Sequence, residues 1–73
     1  MASDSKFLVR FGRRIQELRK AKGLSQEEFA DKCGLDRTYI SGIERGKRNV
    51  GLENVRVLAK ALGVTLSQLF EGF

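Results

Sequence analysis

The stretch CGLDRTYISGIERG, residues 33–46, decides how this chain is read. Gly34 follows an apolar run and can take the positive φ that ends a helix. Asp36 then stands where an N-cap belongs, after a break of only two residues. The next helix is expected over residues 37–45, with Ile40 and Ile43 turned inward and Gly46 closing it. At its leading turn Arg37, Thr38 and Ser41 fall together on the opposite face, because positions three and four apart are neighbours on a helix. Upstream, Ser25 precedes QEE, with Glu28 three residues on, which is the pattern of a capping box. The helix it starts carries Phe29, Ala30 and Cys33 on its inner side. Two short helices joined by a tight glycine-bearing turn have the sequence form of a helix-turn-helix.

The same period continues on both sides. Leu8, Phe11, Ile15 and Leu18 are spaced by three and four, and Gly23 stops the run. After the connector KRNVG, residues 47–51, a fourth helix places Leu52, Val55, Leu58, Ala59 and Leu62 on one stripe, with Gly63 at its end. Thr65 caps a last turn or two containing Leu66, Leu69 and Phe70. There is no proline and no strand-like alternation of apolar and polar residues. The expected fold class is all-α, five short amphipathic helices. They form one domain over residues 6–73, and the polar residues 1–5 are expected to be flexible.

Size and composition narrow the function. A chain of 73 residues builds a small core and usually leans on a staple. One cysteine, Cys33, allows no internal disulfide, and with no histidine there is no ordinary zinc site, so self-association is the remaining device. No cofactor or metal is expected. The 14 Lys and Arg against 9 Asp and Glu give a net charge of +5, which favours polyanionic partners. No apolar run approaches a membrane span. The N-terminal segment MASDSKFLVRFGRR lacks the apolar core of a secretion signal, so the expected compartment is the cytoplasm. An enzyme is not expected: no nucleophile has an evident base partner, and Glu27 and Glu28 sit in a first helical turn, where acids favour the macrodipole.

The charge is uneven. Residues 1–22 carry +5, residues 23–35 carry −2, residues 36–48 carry +2 and residues 49–73 are neutral. For any single lysine the ordinary reading is a solvated helix face. The front of the third helix resists that reading. Arg37 can donate a bidentate pair to guanine O6 and N7, and Thr38 and Ser41 can bond a base edge. Tyr39 beside them is either a phosphate or sugar contact or part of the core. Ser25 and Gln26 open the preceding helix, where Gln26 could join backbone N–H groups on a phosphate. Otherwise Ser25 is a cap and Gln26 a solvated side chain. Arg45, Lys47, Arg48 and Asn49 follow the third helix in a turn where backbone phosphates need only flexible cations. Arg19 and Glu44, each next to an inward residue, are expected to form a half-buried ion pair between the first and third helices. In the neutral C-terminal third, Val57, Ala61, Leu66, Phe70 and Phe73 are apolar positions suited to an isologous contact. For Leu66 and Phe70, core packing is the competing reading.

The segment GLSQEEFADKCGLDRTYISGIERGKRNVGLENVRVLAKALGV resembles the Cro/C1-type helix-turn-helix of the XRE family of regulators, which includes the lambdoid phage repressors. Its phrases LDRTYISGIERG and RNV are similar to those of the controller proteins of restriction–modification systems. The resemblance spans about residues 7–70, with Phe29 in place of the usual leucine before Ala30. It implies a five-helix lambda-repressor-like domain and a homodimer bound to a pseudo-palindromic double-stranded DNA operator, with RNA polymerase as a further partner. It also implies phosphate contact at Gln26, base contact at Arg37, Thr38 and Ser41, further DNA contact at Arg48 and Asn49, and the Arg19–Glu44 pair. Two rivals share the fold: an antitoxin or prophage repressor, and an interaction module that no longer binds DNA. The first rival's antitoxin form needs a toxin-binding extension; the second predicts loss of Arg37 and of the basic turn, and both are present.

Overall fold

A computed structural model describes residues 4–73, with side chains from residue 6 onward. Among them are five helices: α1 (Asp4–Ala21), α2 (Gln26–Cys33), α3 (Arg37–Glu44), α4 (Leu52–Leu62) and α5 (Leu66–Leu69). The flexible stretch expected over residues 1–5 falls mostly outside the described residues, and α1 already begins at Asp4.

The helix limits follow from local chemistry. Ser25 Oγ accepts from the Glu28 backbone N–H while the Glu28 carboxylate accepts from the Ser25 N–H. Thr65 and Gln68 repeat this reciprocal arrangement at the start of α5. Each box satisfies N–H groups that a helix start leaves unbonded. Gly34, at φ 70°, ends α2 in the left-handed conformation, where other residues pay for their Cβ.

The core is one cluster drawn from every helix: Phe11 and Ile15 of α1, Phe29 and Ala30 of α2, Ile40 and Ile43 of α3, Val55, Leu58, Ala59 and Leu62 of α4, and Leu69 of α5. All of these were expected inward, but not every expected position joins them: Leu18 is only partly buried against the cluster and Leu8 is half-buried outside it. Cys33 is only partly buried, at the rim of the cluster. Leu52, expected on the α4 stripe, is 82% exposed. It is the first helical residue after the Gly51 cap. Helical side chains lean toward the N-terminus, so at this position the stripe runs past the end of the core.

Gly12 fixes how α1 meets α3. A Cβ placed on it would stand 2.2 Å from the Ile43 carbonyl oxygen and 2.8 Å from that of Glu44. The two backbones therefore cross at a distance only glycine permits.

Candidate nucleic-acid interface

The helix-turn-helix is α2, the turn at residues 34–36, and α3. The Asp36 carboxylate caps α3 by accepting from the Thr38 N–H at 2.7 Å. Behind the front turn, Ile40 and Ile43 are buried without residue, and Glu44 is buried beside them. That buried back fixes the rotation of α3 about its axis. Arg37 and Thr38 are consequently exposed, and Ser41 is half-exposed.

Arg19 and Glu44 form a two-pronged pair, Nε to Oε2 at 2.6 Å and Nη2 to Oε1 at 3.1 Å. Their side chains are 8% and 1% exposed, so the pair is deeper than the half-buried one expected. Arg19 Nη1 also donates to the Leu24 carbonyl at 2.7 Å. One guanidinium thus ties α1, the turn leading into α2, and the end of α3. A bidentate arginine whose third nitrogen is also hydrogen-bonded is a geometry that makes a buried charge tolerable.

The network continues outward. Gln26 Nε2 donates to Glu44 Oε1 at 3.0 Å, and Arg37 Nη1 donates to Gln26 Oε1 at 3.4 Å. Gln26 is therefore bonded within the chain on both sides of its amide, a different situation from the solvated side chain of the alternative reading. Ser25 is occupied by its capping box. Arg45 Nε reaches Ser41 Oγ at 3.4 Å, one turn back on the same face. Arg45, Lys47, Arg48 and Asn49 are all exposed. Tyr39 is half-buried: its ring packs against the core cluster, as in its core reading, and its hydroxyl accepts from Asn54 Nδ2 of α4 at 3.2 Å.

The five expected self-association residues are placed in three different ways. Val57 and Ala61 of α4 line a shallow depression with Lys32, Cys33, Arg56 and Lys60. Phe70 instead follows its core reading, stacked on Phe11 with ring centroids 5.5 Å apart. Phe73 sits edge-on to Phe7 and Phe70, under the Arg10 guanidinium at 4.6 Å. Leu66 is 45% exposed and takes neither role within the chain. The aromatic pair is thus engaged internally, because the C-terminal residues turn back over α1.

That turn-back also corrects the charge reading. Arg14 donates from Nε to the Leu69 carbonyl at 3.1 Å and from Nη2 to that of Gln68 at 2.7 Å; Arg10 donates to the Gly72 carbonyl at 3.0 Å. With Arg19 these make three cations of the strongly basic N-terminal segment that serve the fold. No sequence signal marks Arg10 and Arg14, because their acceptors are backbone carbonyls more than fifty residues away. Gly12 was equally unmarked as a contact, although a glycine inside a helical pattern is itself a hint of close packing. The Cys33 thiol is pushed up to about 11 by burial, so it stays protonated near neutral pH.

The fold and this exposed front turn define the helix-turn-helix class. A helix-turn-helix family model matches residues 15–69, and the chain belongs to that family, in its Cro/C1-type branch. The control protein C.MunI of Mycoplasma sp is 56% identical over 63 residues, covering 85% of each chain. The restriction–modification controller protein C.AhdI of Aeromonas hydrophila superposes with a TM-score of 0.87 at 55% identity, over 89% of this chain and 98% of its own. The controller protein C.Esp1396I, solved as a tetramer on its natural 35 base-pair operator, gives a TM-score of 0.82 at 42% identity, over 88% of this chain and 84% of its own.

Proposed function

We propose that this chain is a sequence-specific DNA-binding transcription regulator, the controller protein of a restriction–modification system. It binds a pseudo-palindromic operator as a homodimer, with one α3 in each major-groove half-site. The observation that carries the reading is the exposure of Arg37 and Thr38, with Ser41 beside them, at the head of a helix whose opposite side is wholly buried. The leading residues of the second helix in this motif are those that meet base edges. In this reading Arg37, Thr38 and Ser41 read bases. Gln26, Tyr39, Arg45, Lys47, Arg48 and Asn49 hold the backbone or groove rim, with Ser25 opening the helix that carries Gln26. Half-site centres lie about 10 base pairs apart, one helical turn. Val57, Ala61 and Leu66 remain the self-association surface, with the outer face of the Phe70–Phe73 cluster at its edge. RNA polymerase and the cytoplasm belong to the same reading, as the partner and compartment of a bacterial regulator. No catalytic step is assigned.

The test is selection of bound duplexes from a random pool, repeated with Arg37→Ala. The wild-type protein is expected to return a two-fold symmetric site. The variant is expected to lose about 1–3 kcal/mol and to relax preference at one position per half-site. An unchanged preference removes Arg37 from base reading.

A further inference from the structure

Within α3, Gly42 faces a side chain rather than the backbone of another segment. The three atoms nearest a Cβ placed on it all belong to Arg48: Cγ at 2.8 Å, Nε at 3.3 Å and Cδ at 3.6 Å. The aliphatic stem of Arg48 therefore occupies the space where a side chain of residue 42 would be. Its guanidinium reaches the Tyr39 ring, 5.4 Å from the centroid. That ring is itself held, through the Asn54 bond to its hydroxyl, against α4. The connector is pinned at the same place, since the Lys47 N–H donates to the Gly42 carbonyl at 2.8 Å. Position 39 is one turn before 42 on the helix, so the arginine lies across α3 beside the face that carries Thr38, Ser41 and Arg45.

We propose that Gly42 is a positioning residue for DNA binding: its missing side chain is a notch that seats Arg48 on Tyr39 next to the reading face. The proposal rests on Arg48 being a DNA contact, as in the function proposed above. An exposed arginine gives up much rotational freedom on binding, and one already laid in a notch gives up less. The notch also explains why a residue unfavourable to helices sits in the middle of a helix of eight. Alanine there favours the helix itself and can be accommodated by swinging a flexible, exposed arginine aside. Stability and DNA affinity should therefore move in opposite directions.

The experiment is a double-substitution cycle on the full chain, with affinity measured on the duplex that the wild-type protein selects. Gly42→Ala is expected to melt at or above the wild-type temperature yet to bind roughly fivefold more weakly, and Arg48→Ala to bind roughly tenfold more weakly. In the Arg48→Ala background, Gly42→Ala is expected to change nothing further. If Arg48→Ala weakens binding and Gly42→Ala does not, the notch is overturned and the DNA contact stands. If Gly42→Ala costs the same factor with and without Arg48, the notch is likewise overturned. If Arg48→Ala binds as wild type, the assignment of Arg48 to DNA falls and takes the proposal with it. Relaxation of the arginine Nε–H groups in the free wild-type protein gives a second reading that needs no variant. Arg48 is expected to be nearly as ordered as Arg19 and more ordered than the exposed Arg13; an Arg48 as mobile as Arg13 overturns the proposal.

Discussion

Two basic regions of this chain, at +5 and +2 by charge count, use their cations differently once the chain is folded. In α1, Arg10, Arg14 and Arg19 point at carbonyls or at a buried carboxylate and are consumed in holding the ends of the fold together. In α3 and the connector, Arg37, Arg45, Lys47 and Arg48 are exposed, and Arg37 and Arg45 make only long bonds of 3.4 Å to neutral oxygens. Such bonds exchange readily for phosphate or base acceptors. Three of the seven cations of the more basic region are thus structural, whereas the cations of the less basic region stay available. Net charge per segment locates positive residues; it does not locate the ones free to meet a polyanion.

Substitutions that blur the two regions should separate stability from binding. The largest effect is expected from Glu44→Ala, which leaves the Arg19 guanidinium buried without its counter-charge. A loss of about 3–5 kcal/mol in chemical denaturation is predicted, large enough to unfold much of a small domain. If Glu44→Ala melts like wild type, the ion pair is not what orients α3. Next is Gly12→Ala, where the added methyl meets two backbone carbonyls at the α1–α3 crossing. The clash outweighs the gain in helix propensity, for a net loss of about 1–3 kcal/mol by the same measurement. Gly12 and Gly42 are then a matched pair: the same substitution is destabilising where it meets backbone and tolerated where it meets a movable side chain.

Arg14→Ala should cost about 1 kcal/mol of stability, from two bonds to carbonyls at the α5 end. It should leave the salt dependence of DNA binding unchanged. Lys47→Ala should do the reverse, lowering the slope of log affinity against log salt by about 0.9 with no change in melting temperature. A reduced slope in Arg14→Ala would return α1 to the DNA surface and dissolve the contrast. The smallest effect concerns Cys33. Its thiol is held up to about 11 from 9.0, so the neutral form is favoured in the folded state. The stabilisation is complete below pH 9.0 and is lost as pH rises through about 11. Reaction with a thiol reagent at pH 8 should be slow in the folded protein and rise sharply on adding denaturant. Fast reaction of the folded form would contradict that burial.

Much of the architecture was legible because it is set by neighbours in sequence. The capping box at Ser25, the Thr65 and Asp36 caps, the left-handed Gly34 and most inward residues of each helix all depend on spacings of one to four. The front turn of α3 was legible for the same reason: once Ile40 and Ile43 are inward, Arg37, Thr38 and Ser41 must lie on the other side. The Arg19–Glu44 pairing could be anticipated because each residue adjoins an inward one. Leu52 misled because periodicity carries no information about where the core ends. How Phe70 and Phe73 pack was not legible, because it depends on the chain turning back onto Phe7, Phe11 and Arg10, at the far end of the sequence.

The sequence alone therefore determined which segments are helical, which stripe of each is apolar, and which side chains head the second helix of the helix-turn-helix. Those properties follow from bonded geometry and short-range periodicity. The folded structure decided which cations are left over, that Gln26 links the buried ion pair to Arg37, and that two helix-interior glycines serve opposite purposes, one against backbone and one beneath an arginine. Each of these depends on atoms that are distant along the chain and meet only when the helices pack, and a close approach between such atoms leaves no trace in local sequence.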